Sequence, residues 1–297
     1  MRILVTGLTG FIGQRLLPQF GLTDEVFAIC RETMTGLPDN VSVIEADLNE
    51  TGRLFDQLKI IRPEACVHLA WEGIPDYGFN ISRRNLEQAS ALWRHLIEEC
   101  GCLKIIAAGS CWEYGKSFGA CREDEKISTE SYFTWAKHSL TDLGEMLAAE
   151  YKCSFIWTRL FYAYGPGQHG ASLIPMMAEA LKKNEPPMVK TPQNANDFIY
   201  VDDIAEALIL AVHKNIPTGI YNLGSGRSVP VWKICEYLEK AMGRQPVYAQ
   251  QLREVKIQPT ADFWADTSKS TSVLGWVPKI DIEEGIQRYI KSTEITV

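Results

Sequence analysis

Apolar runs of strand length recur along the chain and alternate with stretches whose apolar residues return every three or four positions. Arg2–Thr6, Glu25–Cys30, Val41–Ile44, Ala65–Leu69, Leu103–Ala108 and Ser154–Leu160 are rich in apolar residues and read as strands. Helical spacing fills most of the intervals, as in Gln14–Phe20, Arg84–Cys100 and Trp135–Tyr151. Alternating strands and helices predict an α/β fold with a doubly wound parallel sheet covered on both faces. From Pro166 the pattern loosens. Gly165-Pro166-Gly167 makes a turn, Leu173–Leu181 reads as a helix, and Pro186-Pro187 and Thr191-Pro192 mark loop. Phe198–Val201 and Gly219–Leu223 read as strands, with helices over Ile204–His213, Val231–Met242 and Ile282–Ile290; Asp202-Asp203 is placed to cap the first of these. The expected division is a unit over residues 1–165, with 194–223 folding back onto it, and a smaller mixed α/β C-terminal lobe over 166–297. The cleft between them is the expected substrate site.

The first strand runs straight into Gly7-Leu8-Thr9-Gly10-Phe11-Ile12-Gly13 and then a helical pattern. Strand, glycine turn and helix let backbone amides approach a pyrophosphate closely. Gly7, Thr9, Gly10, Phe11, Ile12 and Gly13 are therefore candidate dinucleotide contacts, and residues 1–165 a Rossmann-type dinucleotide-binding domain. At the end of the second strand an acidic residue would hold the ribose 2′-hydroxyl of NAD, whereas arginine accommodates the 2′-phosphate of NADP. Arg31 follows Cys30 there, so NADP(H) is expected in preference to NAD(H). After the third strand, Asp47 and Leu48 are candidate adenine contacts, although Asp47 serves equally well as a helix N-cap.

A net charge of −7 and a pI near 5.4 argue against a nucleic-acid surface. No apolar run is long enough to span a membrane, and Met1–Val5 enters a strand with no secretory leader before it, so a cytoplasmic protein is expected. The 8 cysteines are scattered and the close pair Cys100 and Cys102 lacks partners at zinc spacing. They read as buried reduced thiols, with no metal site.

Candidate chemistry centres on Lys137. Helical residues four apart lie about 40° apart around the axis, and residues five apart about 140°. Lys137 therefore shares a face with Phe133 and not with Tyr132. Gly7, Gly10 and Gly13, then Ser110-Cys111-Trp112-Glu113-Tyr114-Gly115, then Lys137 resemble an extended short-chain dehydrogenase/reductase of the nucleotide-sugar epimerase, dehydratase and reductase group. The resemblance covers nearly the whole chain. His68-Leu69-Ala70, Asn85, Arg159–Gly167, Asp197–Asp203, Tyr221–Gly226 and Leu274-Gly275-Trp276 with Pro278 fall in the family's order.

The resemblance implies that Ser110 orients a sugar oxygen, that Lys137 bonds the nicotinamide ribose, and that Leu69, Ala70 and Asn85 join the cofactor site. It places the family's acid/base tyrosine at Phe133. Hydride addition to a ketone makes an alkoxide that needs a proton, and a nearby ammonium favours phenolate and so prepares a phenol for the task. Phenylalanine has no proton to give. Three readings stay open: an inactive engineered Tyr-to-Phe variant, a natural enzyme using another acid with Tyr132 the nearest phenol in sequence, or a non-catalytic dinucleotide-binding sensor.

The family resemblance also bears on the reaction. Dehydratases of this group carry Asp-Glu where this chain has Cys111-Trp112, which disfavours dehydration. Cys111 is one residue early for the cysteine of the fucose-synthase-like epimerases. Trp112 takes that place, Ser172 falls where the partner histidine would be, and His169 is the nearby histidine, so Cys111 reads as packing. What remains is NADPH-dependent reduction of a nucleotide-linked 4-keto (deoxy)sugar, as in the abequose and paratose synthases, or C4 epimerisation with retained NAD. Arg31 favours the reduction. Candidate substrate contacts are Trp112, Glu113, Tyr162, Asn196 and Arg253, with Lys190 a further cation, because Asn196 replaces the arginine that usually meets the diphosphate. A homodimer through Arg84–Cys100 and Trp135–Tyr151 is expected from the resemblance.

Overall fold

The computed structural model describes residues 1–115 and 117–294. The early apolar runs become β1 (Arg2–Thr6), β2 (Glu25–Cys30), β3 (Val41–Glu45), β4 (Ala65–His68) and β5 (Lys104–Ser110). They are followed by β6 (Phe118–Cys121), β7 (Ser154–Leu160), β8 (Tyr162–Tyr164), β9 (Ala195–Asn196), β10 (Phe198–Tyr200), β11 (Gly219–Leu223), β12 (Val229–Pro230) and β13 (Asp262–Ala265). The helices are α1 (Gly13–Leu16), α2 (Thr51–Ile61), α3 (Phe79–Glu98), α4 (Tyr132–Tyr151), α5 (Leu173–Lys182), α6 (Val201–His213), α7 (Val231–Ala241), α8 (Val247–Glu254) and α9 (Ile282–Glu294).

A 7-stranded sheet has the order β11-β7-β5-β4-β1-β2-β3, every neighbouring pair parallel. Alternation along each strand divides its side chains between two cores. Ile3 and Val5 join Val26, Ala28, Ala65 and Val67 in the core that also holds Leu16 of α1 and Ile204 and Leu208 of α6. Leu4 points the other way and joins Ile29, Cys66 and Ile105 with Leu54, Leu92, Leu96 and Leu140 of α2, α3 and α4. Each such buried aliphatic side chain contributes roughly 1.5–3 kcal/mol by leaving water. The direction of winding reverses between β1 and β4, which opens a crevice at the carboxyl ends of these strands.

The smaller lobe has its own core, where Ile174, Met177 and Leu181 of α5 meet Ile234, Leu238, Ile286 and Ile290. Its sheet has the order β12-β9-β13-β6, so β6, from the first half of the chain, leaves the large sheet to pair with β13. The lobes are further pinned by Asp197, fully buried, whose carboxylate accepts from the Ser225, Gly226 and Ala265 amides at 2.7, 2.9 and 3.0 Å.

Some local expectations change. The helix read over Gln14–Phe20 shrinks to α1, and Leu17–Gln19 tighten into a 3₁₀ turn around Pro18, which cannot donate to a continuing helix. Asp202 and Asp203 do not cap α6; they lie in its first turn, and the buried Asp203 carboxylate instead accepts from Ile280 N at 3.0 Å. α4 begins earlier than its periodicity suggests, because Ser131 and Thr134 satisfy each other's amides in a reciprocal cap at 3.2 and 3.1 Å. Gly144 lets that helix close on β7, since a Cβ there would lie 2.1 Å from the Phe155 ring. Among the described residues no helix is long and apolar enough to cross a membrane, no His, Cys, Asp and Glu cluster is fit for a metal, and the cysteines are buried thiols in no disulfide.

Candidate functional site

The crevice holds a cavity of about 260 Å³ whose wall includes Gly7, Thr9, Gly10, Arg31, Asp47, Leu48, Leu69 and Ala70. The glycine turn is stereochemically committed. Gly7 has φ +75°, and a Cβ on it would lie 2.7 Å from Ala70 N; a Cβ on Gly13 would lie 2.2 Å from the Gly7 carbonyl oxygen. Such a cradle suits the close approach of a pyrophosphate, and with α1 so short the recognition falls to the turn's amides rather than to a long helix dipole. Trp71 Nε1, whose side chain also lines this cavity, is buried and finds no hydrogen-bond partner among the described residues. The residues present therefore fit a dinucleotide.

The remaining cofactor candidates take supporting positions. Ile12 packs into the core, and Phe11 lies beside Gly167. Asp47 is not an N-cap: its carboxylate accepts from the Asn49 amide at 2.8 Å in a turn ahead of α2. Asn85 stands behind the wall, where its side chain accepts from Glu72 N at 2.8 Å and donates to Glu72 O at 3.1 Å. It holds the Trp71-Glu72 segment in place. Thr6 Oγ1 bridges His68 Nδ1 at 2.9 Å and Ala70 N at 3.2 Å, and burial, followed by the neighbouring Lys137 charge, lowers His68 to about 3.

Lys137 is anchored on β5, the strand whose last residue is Ser110. The Lys137 ammonium donates to Ala108 O at 2.7 Å and lies 3.8 Å from the centroid of Trp71. Burial lowers it to about 7, partly opposed by Glu113. Ser110 Oγ accepts from Trp112 N at 3.2 Å, capping the short 3₁₀ turn Cys111–Tyr114. Phe133 is 7% exposed and sits edge-on to Trp71, Tyr77 and Trp112 at 5.3, 5.2 and 5.9 Å between centroids. Tyr132 is 55% exposed and packs on Phe79, away from that box.

Glu113 lies beneath the cleft rather than in its wall. It is 1% exposed, and its carboxylate accepts from Ser110 N at 2.7 Å, Trp157 Nε1 at 3.0 Å and Arg159 Nε at 3.1 Å. Its work is to fix the strand end that carries Ser110. Cys111 is likewise buried, and loss of solvent pushes its thiol well above the ordinary range, so it does not offer a thiolate.

A second cavity, of about 500 Å³, adjoins the aromatic box and is lined by Tyr77, Trp112, Tyr162, His169, Asn196 and Phe198 among others. Trp112 Nε1 donates to Tyr162 Oη at 3.4 Å. No lysine or arginine is in its wall among the described residues. Arg253 stacks over Trp232 at 5.1 Å and lines a different cavity with Gln193 and Lys256, so it is not gathered with Trp112, Tyr162 and Asn196. Lys190 belongs to neither cavity wall. Trp71, Glu72 and Tyr77 escaped the sequence reading, although an aromatic directly after the fourth strand's Leu69-Ala70 was the available signal.

A parallel sheet with a glycine cradle at its first turn, a lysine buried on α4 and a smaller C-terminal sheet define an extended short-chain dehydrogenase/reductase. The chain belongs to the NAD dependent epimerase/dehydratase family, which it matches over residues 3–224. It is 25% identical to a dTDP-4-dehydro-6-deoxyglucose reductase from Escherichia coli, over 98% of this chain and 96% of that protein. It is 26% identical to a CDP-abequose synthase from Salmonella typhimurium, over 97% of each. The fold also matches the solved UDP-glucose 4-epimerase of Thermotoga maritima with a TM-score of 0.85 at 22% identity, covering 100% of this chain and 99% of that one. Distant relatives also include a dTDP-glucose 4,6-dehydratase from Escherichia coli and, over 66% of this chain, a UDP-glucuronate 4-epimerase from Thermodesulfobacterium geofontis.

Proposed function

We propose that this enzyme reduces the 4-keto group of a nucleotide-linked deoxysugar with NADPH. The observation that carries the reading is Lys137 held on the Ala108 carbonyl of β5, the strand that ends in Ser110, together with a glycine-cradled cavity whose wall includes Arg31. In this reading Gly7, Thr9, Gly10, Leu69 and Ala70 hold the dinucleotide, Asp47 and Leu48 its adenosine end, and Arg31 its 2′-phosphate. The cofactor supplies the hydride. Ser110 Oγ has a proton to offer the substrate carbonyl, since in the cap it acts as acceptor. The charged form of Lys137 stabilises the negative oxygen that develops. Trp112 and Tyr162 provide faces for a sugar ring, and Asn196 a hydrogen-bonding edge. The names of the two curated relatives, both enzymes of nucleotide-linked sugars, support the substrate class.

A second reading has its own support. Phe133 lacks a proton and Trp71 covers the Lys137 ammonium, as a dinucleotide-binding sensor without turnover would allow. C4 epimerisation with retained NAD differs in its bookkeeping, because it consumes no net NADPH.

The test is a thermal-shift panel of CDP-, GDP-, UDP- and dTDP-sugars in the presence of NADP(H). NADPH oxidation is then followed with the 4-keto-6-deoxy derivative of each nucleotide that stabilises the protein. Stabilisation and stoichiometric NADPH loss are expected. No stabilisation by any sugar nucleotide sinks the reductase in favour of the sensor, and interconversion of C4 epimers without NADPH loss sinks it in favour of the epimerase.

A further inference from the structure

We infer that Tyr77, on the loop between β4 and α3, is the catalytic acid of the proposed reduction, giving the substrate oxygen the proton that Phe133 lacks. The inference rests on the reductase reading above.

The phenols near the cleft can be sorted by what their hydroxyls already do. Tyr114 donates to Asn222 Oδ1 at 2.7 Å beneath the site. Tyr164 donates to Asp281 O at 3.4 Å, in the core of the smaller lobe. Tyr132 is turned out onto Phe79. Tyr162 packs on Phe198 and Phe263, and its oxygen accepts from Trp112, which leaves its O–H proton available, but its ring contacts do not include Phe133. Tyr77 alone of these touches Phe133 directly, its ring 5.2 Å from Phe133 and 5.2 Å from Trp112. It lines the substrate cavity, and among the described residues no hydrogen bond engages its hydroxyl.

The box of Trp71, Tyr77, Trp112 and Phe133 thus sets a phenol with no hydrogen-bond partner among the described residues in the wall of the substrate cavity, against Phe133, whose ring also meets Trp71 of the dinucleotide cavity. The step balances in atoms and charge. As hydride from NADPH arrives at the carbonyl carbon, the C=O π pair moves to oxygen, and that oxygen takes the Tyr77 O–H proton. The phenolate left behind recovers a proton from water, because Tyr77 is only half-buried. Burial raises the Tyr77 phenol, which leaves it a far stronger acid than the alcohol it generates and keeps it protonated at neutral pH. The titratable groups around it are Lys137 behind Phe133, His169 and Tyr162 in the same cavity wall, and Asp76 next to it in the loop.

The test compares the unmodified protein with Tyr77→Phe, Tyr132→Phe, Tyr162→Phe and Phe133→Tyr, using NADPH and the 4-keto-6-deoxy nucleotide sugars. Tyr77→Phe is expected to lower kcat about 100-fold or more with KM and melting temperature little changed, while Tyr132→Phe stays close to the unmodified protein. A second readout does not need turnover. The phenolate absorbance near 295 nm, taken as the difference between the unmodified protein and Tyr77→Phe, reports the ionisation of this phenol. Adding NADP⁺, whose nicotinamide is a cation, is expected to move it to lower pH by about one unit or more. Unchanged kcat in Tyr77→Phe, a larger loss in Tyr162→Phe, or no movement of the 295 nm titration overturns the inference. Turnover seen only in Phe133→Tyr overturns it while keeping the reductase reading; turnover in neither protein overturns both.

Discussion

Replacing Lys137 by methionine removes a charge that the fold holds against solvation, and the size of the effect depends on pH. The side chain is 7% exposed, and burial brings its ammonium from the ordinary lysine value of 10.5 to about 7. Between those values the unfolded chain binds a proton that the folded chain does not, so the stability of the unmodified protein rises with pH across that window. With a full slope of about 1.4 kcal/mol per pH unit that is halved at pH 7, where the folded-state lysine is half protonated, Lys137 alone adds about 2 kcal/mol between pH 7 and 9. This is an upper bound, since the Ala108 carbonyl at 2.7 Å and the Trp71 face at 3.8 Å both favour the charged form. Methionine has the length to fill the site and no proton to bind. The stability advantage of Lys137→Met is therefore largest near pH 6 and shrinks as the pH rises. Urea unfolding of both proteins at intervals from pH 6 to 9 measures it, and the difference between the two curves cancels the titrating groups that do not interact with Lys137. Parallel curves across that range would refute the assignment of a desolvated ammonium.

Other expectations follow from the same geometry. Glu113→Gln leaves Arg159 as an uncompensated buried charge and should cost about 3–5 kcal/mol, a fall of roughly 10 °C in Tm by calorimetry. The double variant Glu113→Gln with Arg159→Met should recover part of that loss, and strict additivity would show that the two side chains are not coupled. Gly13→Ala places a methyl 2.2 Å from the Gly7 carbonyl, so NADPH affinity by fluorescence titration should drop at least about tenfold. Arg31→Glu should weaken NADPH by about tenfold while sparing NADH, and equal losses for both would remove the 2′-phosphate assignment. The outer surfaces of α3 and α4, with Phe79, Met146 and Tyr151 exposed, are proposed to pair two copies; light scattering should give a dimer that Met146→Glu weakens.

Much of this organisation is legible in the sequence because period is a local property. The apolar runs mark the strands almost to the residue, and the four-residue spacing of Phe133 and Lys137 places both on the buried face while Tyr132 stays outside. Long-range meetings are another matter. Arg159 is a charge inside an otherwise apolar strand, which demands a buried partner, but nothing local says that the 3₁₀ turn after Ser110 aims Glu113 downward to supply it. Pro18 was visible, and the shortening of α1 follows from its missing amide. The loop from Gly73 to Gly78 has no periodicity to read, so its arrival over Phe133 depends on Asn85 anchoring Glu72 from α3.

That arrival alters what the phenylalanine means. In isolation Phe133 is a tyrosine position without its oxygen. In the folded chain it is one wall of an aromatic box whose other walls carry a phenol and an indole N–H that find no hydrogen-bond partner among the described residues. A hydroxyl on residue 133 would have to be solvated or bonded between Trp71 and Trp112, whereas a bare ring packs there without that demand. The missing group is thus tied to where the neighbouring loop puts Tyr77. Activity gained in Phe133→Tyr is accordingly expected to come with altered packing of Trp71, readable as a change in tryptophan fluorescence; a large gain with an unchanged emission spectrum would show that the box accepts tyrosine as it stands.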